Sequence, residues 1–518
     1  GRAVDASVYE VHVRDMSMDA NSGIADNLKG KYLGMSKLNT SYTTKVGTKS
    51  VTTKTGLSAI KELGVTHVQL QPVYDFNSVD ETGVGPQFNW GYDPQNYDIP
   101  EGSYSSNAND PIARVKELKT LVQTYHNNGL RVLMDVVYPH VGSAVDFSQQ
   151  QIVPGYFYRT ETSGELANGS GCGNEIASER PMVRKFIVDS LKYWTSEYHM
   201  DGYRFDQMGL MDIQTLQDIA KAIKSVNPTV VTFGEGWNMG NVLPAAQRGM
   251  QANLTQIPSF GAFNDQIRDA VKGSTGSAIG RGWITGASYA NYDVQAGIVG
   301  NSDYSLDLYP SFITQNPGQS VNYVESHDNL TLYDKLKASA QGTDTQIAAY
   351  VRMAGAVTIL AQGMPFQQAG QEFLRSKGGN ANSYNAPDSV NALKWKDRIT
   401  QATTTAYYAG LYSIRKQHPA FRMWTPAQIK ANLKFIRTSP DVIAYRLNGT
   451  AMKDTWKTIV VAHNSTTAPT SVSLPVKGTW NVFVTGASVS ADPKKPLKVL
   501  KKAFNVIVPA GSTVVVVK

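Results

Sequence analysis

Little in this chain can staple it covalently or anchor it in a bilayer. Its 518 residues include one cysteine, Cys172, which excludes an internal disulfide and any metal site built from several cysteines. No apolar run approaches the roughly 20 residues that a membrane-spanning helix needs. Excess charge is scarce as well. Forty-nine Lys and Arg against 42 Asp and Glu leave +7, modest for the length, and only 494–502 is densely basic. That stretch reads as a solvated face, so nucleic acid is not an expected partner. No H-x-x-x-H spacing suggests a metal site, and neither an internal repeat nor a low-complexity segment occurs. The chain opens on Gly1 without Met or a signal peptide and reaches V-Y-E-V-H-V almost at once, as expected of a processed or truncated chain.

What is present is enough apolar residue, 41% of the chain against 18% charged, to bury a large core. Apolar, β-branched runs at 8–13, 65–73, 131–138, 202–205, 230–233, 322–324 and 363–366 read as strands, with a weaker one at 257–263. Amphipathic helical patterns lie between them, best at 112–127, 182–199 and 213–226. Short buried strands alternating with helices predict a parallel sheet, either an eight-stranded (β/α) barrel or an open doubly wound sheet. Two polar excursions, 15–56 and 141–179, interrupt the alternation. After about residue 422 the helical patterns stop. Short alternating runs such as V-I-A-Y-R-L and S-T-V-V-V-V then predict a C-terminal antiparallel β-sandwich over 423–518, behind a barrel of 1–422.

Four stretches just past strand ends carry chemistry. In D-G-Y-R-F-D, Arg204 and Asp206 lie two apart on a strand and share a face. A guanidinium beside a carboxylate lowers its pKa and fixes its orientation, as a carboxylate nucleophile needs; a pair that merely braces a strand end fits equally. In F-G-E-G-W, Glu235 sits between glycines beside Trp237, a partly apolar setting that raises a carboxyl pKa as a general acid requires; a tight turn also explains the glycines. In V-E-S-H-D-N, His327 and Asp328 offer a donor and an acceptor suited to vicinal hydroxyls, or a helix cap. In D-V-V-Y-P-H, Asp135 lies inside an apolar strand where an unpaired charge is costly, so Arg204 is its expected partner, and His140 faces the strand end. In a barrel these ends converge on one mouth.

In this order the four stretches resemble the sequence regions of the α-amylase superfamily of glycoside hydrolases. The loop F-N-W-G-Y-D-P at 88–94 is similar to that of type I pullulanases, the debranching members. Further similarity lies in S-G-C-G-N-E at 170–175, R-P-M-V-R-K-F-I-V-D-S at 180–190 and Q-E-F-L-R-S-K-G-G-N-A-N-S-Y-N-A-P-D-S at 371–389. The resemblance covers roughly 5–422, and the trailing β domain is usual for the family.

The resemblance implies roles. Asp206 is the nucleophile, Glu235 the general acid/base, and Asp328 the carboxylate that stabilises the transition state. Arg204 orients Asp206, His140 and His327 bond the sugar beside the scissile bond, and Tyr92 stacks on it. Trp90, Asp93, Trp237, Arg375, Tyr384, Asn385 and Asp388 are expected in the flanking cleft. The implied reaction is retaining hydrolysis of α-1,6 branch linkages in pullulan, glycogen, amylopectin or limit dextrins. α-1,4 cleavage or glucan transfer on the same apparatus is the nearest alternative, and a non-catalytic carbohydrate-binding protein a further one. No cofactor is required on this reading. Pro139 stands where the family usually has Asn and lacks the donor and polar side chain that often help to hold calcium, so a structural calcium is not supported. Gln207 replaces a common Leu and Gln371 a frequent Glu. A monomer is expected, secreted or on the surface of a bacterium, with a cytoplasmic location the alternative.

Overall fold

Eight parallel strands close into a barrel in the computed structural model of the chain, which describes residues 2–82, 88–240 and 242–518. They are β1 (Val8–Val11), β2 (His67–Leu70), β3 (Arg131–Val136), β4 (Gly202–Phe205), β5 (Val231–Gly234), β6 (Phe260–Phe263), β7 (Ser320–Asn322) and β8 (Met364–Gln368). Each pairs with its sequence neighbours, and β1 closes the ring between β8 and β2. Several strands are shorter than their apolar runs predict, and β7 lies two residues before 322–324. Val13, Val73, Val137 and Tyr138 are all buried, but they lie beyond the ladders in the segments that follow the strands. Burial therefore extends past the last ladder hydrogen bond.

The period of two along a strand layers the barrel interior. Val8, Leu133, Val231, Phe233, Phe263 and Phe366 form an apolar cluster. One inward position further along, β1, β2, β3 and β4 carry Glu10, Gln69, Asp135 and Arg204, with Glu10 opposite Gln69 and Asp135 opposite Arg204 in register. The polar layer thus stands towards the C-terminal mouth, above an apolar floor. Gly202 allows the close approach below it: a Cβ there would lie 2.1 Å from the Val231 carbonyl oxygen and 2.7 Å from Leu133 Cδ2.

The outer helices are α1 (Gly56–Leu63), α2 (Pro111–Asn127), α3 (Pro181–Glu197), α4 (Ile213–Val226), α5 (Asp265–Lys272), α6 (Asp344–Leu360) and α7 (Ala402–Gln417). Local chemistry sets their starts. Asp110 accepts from the Ile112 N–H at 2.9 Å with Pro111 in the first turn of α2, and Asp212 caps α4 through the Thr215 N–H at 2.9 Å. Ile213, Leu216, Ile219 and Ile223 then face inward at helical spacing. Among the described residues the β5–β6 connection holds only 3₁₀ turns, the longest Gln251–Gln256. The excursions contain small elements: a hairpin of Ser41–Val46 with Lys49–Lys54, and a two-residue pairing of His140–Val141 with Asn174–Glu175.

Beyond the barrel come β9 (Leu433–Ser439), β10 (Val442–Asn448), β11 (Thr458–Asn464), β12 (Thr470–Thr485), β13 (Ser488–Val489), β14 (Lys498–Val508) and β15 (Ser512–Val517), all antiparallel. The long β12 links them into one hydrogen-bonded sheet. Alternate residues serve two cores. Val442, Ala444, Val460, Ala462, Val514 and Val516 pack with Val472, Leu474, Val506 and Val508 in the sheet's own core. Ile443, Tyr445, Ile459, Val461, Val515 and Val517 belong to the main core with the barrel helices. Burial on both faces explains the near-continuous apolar runs of these strands.

Candidate active site

Arg204 organises the polar layer. Its Nη1 lies 2.9 Å from Asp135 Oδ1 and 2.8 Å from Asp206 Oδ1, and its Nη2 donates to Glu235 Oε1. The predicted Arg204–Asp135 and Arg204–Asp206 pairs are both formed, and Glu235 is a third carboxylate on the same guanidinium. A planar fork suits this sharing, because its N–H groups point in fixed directions towards separate acceptors. Asp206 also receives His140 Nε2 at 3.2 Å. Glu235 receives the backbone N–H of Gln207 at 2.8 Å, presented from a left-handed conformation with φ 42°.

The two carboxyls so placed are pushed apart electrostatically. Burial raises Asp206, but the Arg204 charge and the His140 hydrogen bond outweigh it and hold the carboxyl below its ordinary range. Burial raises Glu235 to about 8, with Asp206 and Asp328 adding to the rise and Arg204 opposing it. Asp135, wholly buried, is likewise pushed up to about 7 by burial against the pull of Arg204. The site at neutral pH therefore holds an ionised Asp206 beside a protonated Glu235, the division of labour that acid and nucleophile need.

These groups open into a cleft of about 830 Å³. Asp206, Glu235, Asp328, Trp90, Tyr92, Asp93, His140, Trp237, His327 and Tyr384 line it, with Cys172, Gln207 and Asn329. Tyr92 stacks on His327 with ring centroids 4.8 Å apart and donates its hydroxyl to Asp135 Oδ2 at 2.8 Å. Trp90 meets His327 edge-on at 4.8 Å and lies 6.4 Å from Tyr384. Asp328, at the cleft wall, lies 3.4 Å from His327 Nε2. Asp93 accepts from Ser78 Oγ at 3.0 Å, and burial raises its carboxyl.

Three residues expected in the cleft are not among its lining. Arg375 is buried, with Nη2 2.9 Å from Asp15 Oδ2 and Nη1 donating to the Ala369 carbonyl, so its charge braces the first excursion against β8. Asp388 gives both oxygens to Arg14, at 2.7 Å each. Asn385 is exposed beside Tyr384 without lining the cleft. The stretch 371–389 thus holds the wall more than it forms it. Of the departures, Gln207 reaches the site: its Nε2 donates to the Ser170 carbonyl at 3.0 Å and approaches Cys172 Sγ at 3.9 Å. Gln371 instead donates to the Tyr408 hydroxyl at 3.0 Å.

Glu10 and Gln69 are additions that the motifs do not single out. Glu10 accepts from His327 Nδ1 and from the His327 backbone N–H, both at 2.7 Å, and Gln69 Nε2 donates to Asp135 Oδ2 at 3.0 Å. The signal for Glu10 lies in V-Y-E-V, a charge inside an apolar strand, the same cue that picks out Asp135. As for metal donors, Asp75, Glu81 and Glu101 bring carboxylate oxygens within 4.8 Å of one another. Arg114 pairs with Glu81, and the Phe76 and Ser103 N–H groups donate to Glu101, so this cluster is largely satisfied by the protein itself. At Pro139 the backbone carbonyl accepts from the Ile176 N–H at 2.8 Å, and no side-chain donor is available there.

The chain is similar to known proteins in both of its parts. The family described as "Alpha amylase, catalytic domain" matches residues 39–159, and "Pullulanase, all-beta domain" matches 429–488. The pullulanase of Bacillus subtilis (strain 168) is 42% identical over 491 residues, which make up 95% of this chain and 67% of that protein. The chain belongs to the pullulanase family. Its members are glycoside hydrolases of the α-amylase superfamily that act on α-1,6 linkages. Among pullulanase crystal structures, that of the type I enzyme of Bacillus subtilis complexed with maltose superposes with a TM-score of 0.93 at 40% identity, over all of this chain and 70% of the other. The pullulanase of Paenibacillus barengoltzii in complex with maltohexaose and α-cyclodextrin gives 0.92 at 41% identity, over all of this chain and 78% of the other.

Proposed function

We propose that this chain hydrolyses α-1,6 branch linkages in pullulan, glycogen, amylopectin and limit dextrins by a retaining double displacement. The observation that carries the reading is the Arg204 fork, which holds an ionised Asp206 and a protonated Glu235 side by side in the cleft. Glu235 gives its proton to the glycosidic oxygen as Asp206 attacks the anomeric carbon, so the bond to the leaving chain breaks as the glycosyl ester forms. The ionised Glu235 then takes a proton from water, whose oxygen displaces Asp206 and restores both carboxyls. Asp328 accepts sugar hydroxyls and stabilises the positive charge that develops at the anomeric centre.

Tyr92 supplies the ring face for the sugar beside the cut, and His140 and His327 supply donors to its hydroxyls. Trp90, Trp237, Tyr384 and Asp93 bind flanking units. Arg375, Asp388 and Asn385 are assigned no contact with sugar. The chemistry runs on these side chains with no metal or cofactor. A monomer is the acting unit on this reading, with the barrel of 1–422 catalytic and 423–518 its brace. The product profile on pullulan alongside amylose tests the reading: maltotriose is expected, whereas panose or isopanose means α-1,4 cleavage and no product means binding without turnover.

A further inference from the structure

Beneath the cleft, Glu10 stands on β1 at 1% exposure and is not among the cleft-lining residues. Both its oxygens accept from His327, Oε2 from the backbone N–H and Oε1 from ring Nδ1 at 2.7 Å each, with Gln69 Nε2 more distant from Oε1 at 3.5 Å. We propose that Glu10 is a positioning residue of this active site, which keeps both ring nitrogens of His327 protonated and so presents Nε2–H to Asp328 and the substrate as a charged donor. The inference deepens the hydrolase reading above and rests on it for its effect on substrate, though not for the state of the ring.

The surroundings of His327 leave Glu10 this task. Asp328 lies 3.4 Å from Nε2 on the cleft side. Tyr92 hydroxyl is 3.3 Å from Nδ1 but is already donated to Asp135. Lys377 Nζ donates to the His327 carbonyl at 3.1 Å and stands 5.1 Å from the Trp90 ring, adding positive charge nearby. Arg204 lies over the Tyr92 ring at 5.4 Å and also disfavours a second cation. Glu10 is therefore the carboxylate bonded to the inner side of the ring, with Asp135 further back behind the Tyr92 hydroxyl, and Asp328 is the one on the outer side. Burial and Arg204 lower the ring's proton affinity, yet Asp328 and Glu10 raise it to about 9. A charged hydrogen bond is roughly twice as strong as a neutral one, so a protonated ring fixes Asp328 and grips a hydroxyl better than a neutral ring does.

Nitrogen-15 NMR of histidine-labelled full chain, without substrate, reads the ring directly, with His327→Gln assigning the resonance. In the unaltered chain the His327 midpoint is expected at about 9, with both nitrogens protonated at pH 7. In Glu10→Gln its midpoint is expected below about 7, as burial regains control once one carboxylate is gone. On pullulan, Glu10→Gln should lose about tenfold in kcat/KM at pH 7.5, mostly through KM, and no more than about threefold at pH 5.5, where the ring is again charged. Glu10→Asp keeps the charge, should hold the midpoint above 7, and serves if Glu10→Gln folds poorly. An unchanged His327 midpoint in Glu10→Gln, a neutral His327 at pH 7 in the unaltered chain, or a midpoint below 7 in Glu10→Asp would overturn the proposal. An absence of pullulan hydrolysis in the unaltered chain would instead sink the hydrolase reading, with the titration still interpretable.

Discussion

Asp135, Asp206 and Glu235 converge on the Arg204 guanidinium, and removing that charge leaves three carboxyls buried together. Breaking a buried ion pair by deleting one partner costs about 3–5 kcal/mol, so Arg204→Met should be strongly destabilised by chemical denaturation and inactive on pullulan. Glu235 gives the opposite lesson. Its folded-state pKa is raised, so between about 4.5 and 8 the folded chain keeps a proton that the unfolded chain has lost, and stability falls as pH rises through that window. Glu235→Gln lacks this cost. By scanning calorimetry its melting temperature should exceed that of the unaltered chain, with little gain below pH 4.5 and a gain of at least about 2 °C at pH 8. Activity of the unaltered chain should decline as pH rises through about 8, where Glu235 loses its proton.

At the scale of elements, the cleft depends on how the second excursion is pinned. Arg159 and Glu175, both about 1% exposed, pair at 2.9 Å; Arg159 also donates to the Leu210 carbonyl beyond β4, and Glu175 accepts from the Gly169 N–H at 2.7 Å. This fastens the turn carrying Cys172 to the strand end carrying Asp206. Arg159→Met should loosen that wall, raising KM for branched oligosaccharides more than it lowers kcat, with faster hydrogen exchange across 165–175. Little of this pinning was legible in the sequence, because it joins residues through side chains far apart in the chain. The alternation of strands and helices was legible because the strands are buried on both faces and the helices on one, but this pattern left a closed barrel and an open sheet equally possible, and the structure shows closure. Strand ends were not legible, since residues such as Val73 and Tyr138 stay buried beyond the ladder. Motif order points to Asp206, Glu235 and Asp328, which all line the cleft, but a motif does not separate a residue that lines a cleft from one beside it, and Arg375 and Asp388 are held in pairs with Asp15 and Arg14.

Across the whole molecule, the barrel and the C-terminal sheet share one apolar core. Tyr445, Val461 and Val515 pack with the helices, Trp283 Nε1 donates to the Pro440 carbonyl at 2.8 Å, and His418 stacks on Trp456 with centroids 3.5 Å apart while bonding Asp454. Two parts joined in this way should unfold together, giving one calorimetric transition; two resolved transitions would show the interface to be weak. The arrangement also puts the polar layer of Glu10, Gln69, Asp135 and Arg204 at the barrel mouth, above the apolar floor.

Proton NMR of an early pullulan digest reads the linkage cut and the stereochemical course of the proposed reaction at once. Loss of α-1,6 anomeric signals, with the new reducing ends appearing first as the α-anomer, is the predicted result. Loss of α-1,4 signals, or new ends appearing first as the β-anomer, would contradict it.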